Sequence, residues 1–139
     1  MTLSILENEK NRKELIGTCI VSSLCSLFLA VFSLVYYEFS HGVHSPFMTY
    51  LFAWPLLLRT LPAGICLLVP GIPGPNVISA LFWQTGVAAV TVSSMLRGIF
   101  DIAGNSSVYQ SALMAAGILF LICGIILYSA GILTGRKKE

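Results

Sequence analysis

The chain has 139 residues, of which 56% are hydrophobic and 10% charged, with a formal net charge of +2 and a mean hydropathy of +0.86. A soluble domain carries roughly 25% charged residues, so this composition excludes an ordinary soluble fold. It predicts an all-α, polytopic membrane protein of one domain, in which each of four helices uses about 20 mostly apolar residues to cross the bilayer.

Residues 1–14 form a short tail that carries Lys10, Arg12 and Lys13. The first span, 15–37, exceeds the roughly 7 to 15 residues of a secretory signal core and has no clear small-residue cleavage site, so it reads as a retained span. Cys19, Ser22, Ser26, Ala30 and Ser33 recur along it at steps of three or four, which makes a small-residue face for close helix packing. The other reading of those serines is a hydrophilic path, although a serine can also satisfy its hydroxyl on its own helix. Small four-span multidrug exporters are similar in size and span count. Their pattern depends on an acidic residue within the first span, and Leu15 to Tyr37 contains none, so their function is not carried over.

The following loop contributes Glu38, His41 and His44. Imidazoles and a carboxylate can bind a divalent metal or relay protons, but two histidines in a glycine- and proline-bearing loop also serve as turn residues, so they are weak metal candidates and no cofactor is predicted. Haem is disfavoured because no span carries a histidine at its core.

Span two, 47–69, contains the segment WPLLLRTLP, with Arg59 between Pro55 and Pro62. A charge at mid-membrane depth costs about 2.5 to 3.5 kcal/mol on insertion scales and needs a partner. No carboxylate of the chain matches the depth of Arg59. Gln84 in span three does, to within roughly 5 Å along the axis, and its carbonyl is a candidate acceptor. The prolines should kink the helix and free the Leu51 and Leu58 carbonyls toward the face that carries Arg59. Neutral acceptors solvate a guanidinium without neutralising it, which leaves an anion, a partner's carboxylate or cavity water to complete the site.

Pro70, Gly71, Pro73, Gly74 and Pro75 predict a tight hairpin between spans two and three. Span three, 77–99, follows Asn76 as a predicted N-cap. Arg97 and Asp101 are four apart and can pair if the helix continues, or the arginine can snorkel to the interface. Asn105, Ser106 and Ser107 match a glycosylation sequon, a weak signal, with Ser107 a predicted cap for span four, 110–133. In that span Gly117, Gly124 and Gly131 recur at a spacing of seven and predict a second packing seam. Cys19, Cys25, Cys66 and Cys123 lie in apolar runs and are expected to be reduced, buried packing residues.

The 134–139 tail adds Arg136, Lys137 and Lys138, so six of the eight basic residues flank the first and last spans. The positive-inside rule then puts both tails in the cytoplasm of a bacterial-type inner membrane, which an even span count permits. Three charges per tail are too few to indicate nucleic acid. With no phosphate loop, catalytic triad or paired carboxylates, enzyme chemistry is disfavoured. The leading expectation is a subunit of a homo- or hetero-oligomeric membrane complex with Arg59 at an interface or cavity. The alternatives are a transporter or binder of a small anionic or polar solute coming from the outer side past His41, His44, Arg97 and Asp101, and a redox or metal protein using the histidines.

Overall fold

The computed structural model describes residues 2–40, 42–69 and 74–135, and within them every regular element is a helix. The elements are α1 (Thr2–Phe39), α2 (Pro46–Thr49), α3 (Ala53–Pro55), a π turn (Leu56–Thr60), α4 (Leu61–Leu68), α5 (Val77–Ala103) and α6 (Val108–Gly135). Three helices are long and apolar enough to cross a membrane, through Glu9–Phe39, Val77–Ala103 and Val108–Thr134, and a shorter apolar helix covers Ala53–Leu68. Large side chains such as Leu27, Phe28 and Leu34 on α1 and Leu119, Ile126 and Leu133 on α6 are exposed, as a lipid-facing surface requires.

The chain makes two antiparallel hairpins. In the first, α1 packs along the irregular stretch 46–68. This corrects the expectation of one kinked helix over 47–69: α2 ends after a single turn, residues 50–52 lie outside regular helix, and the π turn precedes α4. The α1 serines explain how so irregular a backbone persists in an apolar setting. Ser33 Oγ donates to the Met48 carbonyl at 2.7 Å and Ser26 Oγ to the Phe52 carbonyl at 2.7 Å. Ser22 Oγ lies 2.9 Å from the Thr60 hydroxyl and also donates to its own Thr18 carbonyl at 2.6 Å. Ser22, Ser26 and Ser33 are all buried, so the small-residue face of α1 serves the backbone of the neighbouring segment.

The second hairpin, α5 with α6, is the most closely packed pair. A Cβ on Gly117 would meet Val90 at 2.8 Å, one on Gly124 would meet the Trp83 amide nitrogen at 3.1 Å, and one on Gly131 would meet the Asn76 side chain at 2.6 Å. The facing stripe of α5 has the same spacing: Ser79 Oγ donates to the Gly124 carbonyl at 2.9 Å, Gly86 lies against Leu121, and Ser93 Oγ donates to the Gln110 carbonyl at 2.7 Å. A stripe at intervals of seven returns to nearly one helix face, so the two stripes run in register. Asn76 occupies the N-cap position of α5, but its side chain makes no cap hydrogen bond and meets α6. Ser107 directly precedes α6. At the far end of α5, Gly104 ends the helix at φ 68°, a left-handed conformation that suits glycine.

The hairpins join at the end opposite the chain termini. There α2 and α3 lie against α5, and a Cβ on Gly98 would sit 2.9 Å from Met48. Met48, Leu51, Val87 and Val90 form the buried apolar centre. Toward the tail end the hairpins diverge: among the described residues no Cα of α4 comes within 8 Å of α5 or α6, and none of α1 comes within 8 Å of α6. All four cysteines are free thiols; Cys25 and Cys123 are exposed and Cys19 and Cys66 half-buried, which corrects the expectation of four buried packing residues. Cys25 lies on the exposed side of α1 and Cys123 on the exposed side of α6.

Candidate functional site

Arg59 is held by the π turn. The Leu61 N–H closes on the Leu56 carbonyl, five residues back, and this wider ring rotates the following side chains relative to an α-helix. In α-helical register the donor to the Leu58 carbonyl would be residue 62, and proline has no N–H. The Leu58 carbonyl is consequently open to a partner from outside the helix. The indole Nε1 of Trp83 donates to it at 2.7 Å. This corrects one expectation: the carbonyl freed by Pro62 is taken by Trp83 on α5 instead of by Arg59.

The guanidinium itself meets Gln84, the neighbour of Trp83. With the amide assigned the orientation that turns its oxygen to the arginine, Gln84 Oε1 accepts from Arg59 Nη2 at 2.7 Å and from Nη1 at 3.2 Å. Trp83 and Gln84 together thus tie α5 to the π turn across the gap between hairpins. The Arg59 side chain is half-buried and Gln84 is exposed. Gln84 lies about seven residues from the first residue of α5, roughly 10 Å along the axis, in a helix about 40 Å long. The guanidinium therefore sits nearer the tail end than the middle position of Arg59 in its own span suggests.

Below this tie the diverging hairpins enclose a cavity of about 300 Å³. Its walls come from four directions: Leu15 and Thr18 on α1, Pro62, Ala63 and Cys66 on α4, Ser79 and Ala80 on α5, and Gly124, Ile125 and Tyr128 on α6. Arg59, Trp83 and Gln84 close its upper end. Among the described residues the arginine is the one formally charged side chain of that lining, so the cavity presents a cation, an amide and a few hydroxyls against apolar walls. Chemically it is suited to hold an anion, whose charge would be worth more in this low-dielectric setting than in water.

The opposite end holds a separate cavity of about 360 Å³, lined among others by Ser33, Tyr37, His44, Ser45 and Met48, and the two linings share no residue among those described. The predicted outer cluster does not converge into one site. His44 stacks on Tyr37 with ring centroids 4.8 Å apart. Arg97 lies over the Phe47 ring, its Cζ 4.1 Å from the centroid, and Asp101 accepts from Ser45 Oγ at 2.9 Å. No Arg97–Asp101 ion pair forms among the described residues, because each charge has a closer partner in the 45–47 segment. Glu38 is exposed near the end of α1, and His41 lies outside the described residues, as do Pro70, Gly71, Pro73, Arg136, Lys137 and Lys138. Among the described residues no three His, Cys, Asp or Glu side chains are grouped to hold a metal.

Sequence reasoning did not single out Trp83, Tyr128 or Ser79, and it took Cys66 only as a packing residue. A signal for two of them was present: Trp83 and Tyr128 are amphipathic aromatics at about the same distance from the tail end as Gln84, where an N–H or O–H can serve buried acceptors. Ser79, Gly86 and Ser93 also repeat at the interval that marks Gly117, Gly124 and Gly131. No family model, no curated protein and no solved structure matches the chain, so its function is argued from these residues.

Proposed function

We propose that this is a non-enzymatic, four-pass membrane protein whose cleft between two helical hairpins binds an anionic group on Arg59. The observation that carries this reading is a guanidinium lining an open cavity with a neutral amide as its partner. A buried ion pair would have supplied the opposite charge from within the chain; an amide leaves that charge to be supplied from outside. In this reading the stretch 46–68 crosses as a broken fourth span, and both tails lie on the cytoplasmic side of a bacterial-type inner membrane, as the flanking basic residues favour. The cleft then faces the cytoplasmic half of the bilayer. This differs from an approach past His44, Arg97 and Asp101, because the outer and inner cavities have no described lining residue in common.

The role of complex subunit ranks second. Its expected seams are used inside the chain, Ser22 and Ser26 on the 46–68 stretch and Gly117, Gly124 and Gly131 on α5. What it retains is that a partner's carboxylate could also meet Arg59.

The test is anion-dependent stabilisation of the purified chain in neutral detergent. A ligand that binds only the folded state at 100 times its Kd adds about 2.7 kcal/mol. Wild type should gain stability from at least one of a panel of soluble and lipid anions, and Arg59→Gln should not. Equal responses in both proteins would sink the proposal.

A further inference from the structure

We infer that the anion taken by the Arg59 cleft is the phosphate of a membrane lipid from the tail-side leaflet, with its acyl chains left in the bilayer. This rests on the anion-binding reading above and names its ligand. Depth favours a lipid: Gln84 Oε1 fixes the guanidinium on a level roughly 10 Å from the tail end of α5. With a hydrocarbon core of about 30 Å and a helix of about 40 Å, that level is only some 5 Å below the headgroup region. A lipid phosphate reaches it by a small inward displacement, and a long arginine side chain shortens the distance further.

The way in also suits a lipid. Below the tie to α5, α4 makes no close backbone approach to α5 or α6, so the cleft is bounded there by side chains and not by a packed helix pair. Ile125 on α6 both lines the cleft and is exposed, so an apolar side chain stands at the opening where acyl chains can lie. A soluble anion would have to pass the same apolar walls without chains to compensate for its desolvation. The cavity of about 300 Å³ accommodates a headgroup and is far smaller than a diacyl lipid, which fits a ligand that is only partly enclosed.

Charge at the mouth points the same way. Leu15 and Thr18 line the cleft, and over the nearly two turns of 9–14 toward the tail α1 carries Lys10, Arg12 and Lys13, all exposed, against Glu9 and Glu14, also exposed. This stretch carries three positive charges against two negative ones and lies where an anionic leaflet surface would meet it. Asn11 adds a polar amide 3.9 Å from the Cβ position of Gly74, on the opposite lip.

The experiment is a native mass-spectrometry titration of the delipidated full chain in neutral detergent with phosphatidylglycerol, phosphatidylcholine and soluble glycerol phosphate. Wild type should bind phosphatidylglycerol at one per chain, at least about tenfold more tightly than phosphatidylcholine, with no competition from equimolar glycerol phosphate. Arg59→Gln should abolish the preference. If Arg59→Gln does not fold, Cys66→Phe fills the cleft from the α4 side with the arginine intact and should lose the lipid in the same way. Preference retained in either folded variant overturns the inference. Competition by glycerol phosphate on equal terms overturns the lipid assignment but leaves the anion-binding reading standing, whereas failure of every anion to bind removes both.

Discussion

Replacing Trp83 with phenylalanine keeps most of the apolar ring and deletes one donor, the indole N–H that serves the Leu58 carbonyl at 2.7 Å. That carbonyl cannot be served by residue 62, because Pro62 has no N–H. The variant therefore removes the side-chain donor from a backbone acceptor whose α-helical donor is already missing, a loss of about 1 to 3 kcal/mol in a protein interior. Hydrogen bonds between membrane helices average about 0.6 kcal/mol with a maximum near 1.7. Because Pro62 withholds the α-helical donor from the Leu58 carbonyl, Trp83→Phe should fall at the upper end, about 1.5 kcal/mol. Pro62→Ala restores a donor able to reach the same carbonyl, so Trp83→Phe made on that background should cost less than half as much. The assay is reversible unfolding of the purified protein by denaturing detergent, followed by helical circular dichroism for the four members of the cycle. If Trp83→Phe costs the same with Pro62 present as on the Pro62→Ala background, the indole is not compensating for the proline and this account of the π turn fails.

Two further outcomes follow from the packing. Gly86→Leu would set a side chain against Leu121, whose Cγ lies 2.8 Å and whose amide nitrogen lies 2.9 Å from the Cβ position; overpacking of this kind should lower stability by about 1 to 3 kcal/mol in the same assay, and an unchanged midpoint would contradict the close α5–α6 approach. Ser26→Ala and Ser33→Ala each remove a donor to the irregular stretch, to Phe52 and Met48 respectively. Each should cost about 0.5 to 1.5 kcal/mol and speed amide exchange at residues 46–56 more than in α6, while exchange that rises equally in both would argue against a specific role of the α1 face.

The long spans were legible because a run of more than 20 apolar residues has few alternatives, and α1, α5 and α6 each contain one. Span two was legible only as an apolar run with two prolines. Where its helix would break depends on donors from another chain segment, Ser26, Ser33 and Trp83, and their positions are fixed by how α1 and α5 rotate about their axes. Depth arithmetic brings Arg59 and Gln84 to one level because the rise per residue is nearly constant. That arithmetic cannot say which of the available acceptors the guanidinium takes, and the Leu58 carbonyl went to Trp83. The Arg97–Asp101 pair was a reasonable expectation from spacing alone, but Phe47 and Ser45 arrive from a distant part of the sequence and take each charge separately. The cleft is the least legible feature, since it arises from two hairpins packing at one end and diverging at the other.

If the charge of Arg59 is met from outside the chain, Arg59→Met, which keeps length and removes charge, should reveal it through the sign of its effect on stability in two lipid settings. In neutral detergent with phosphatidylcholine alone, the variant should be at least as stable as wild type, because a half-buried cation without a counter-charge is lost. With phosphatidylglycerol added, wild type should become the more stable of the two. If Arg59→Met is instead destabilised by the same amount in both settings, the arginine is satisfied within the chain and the binding site is not there.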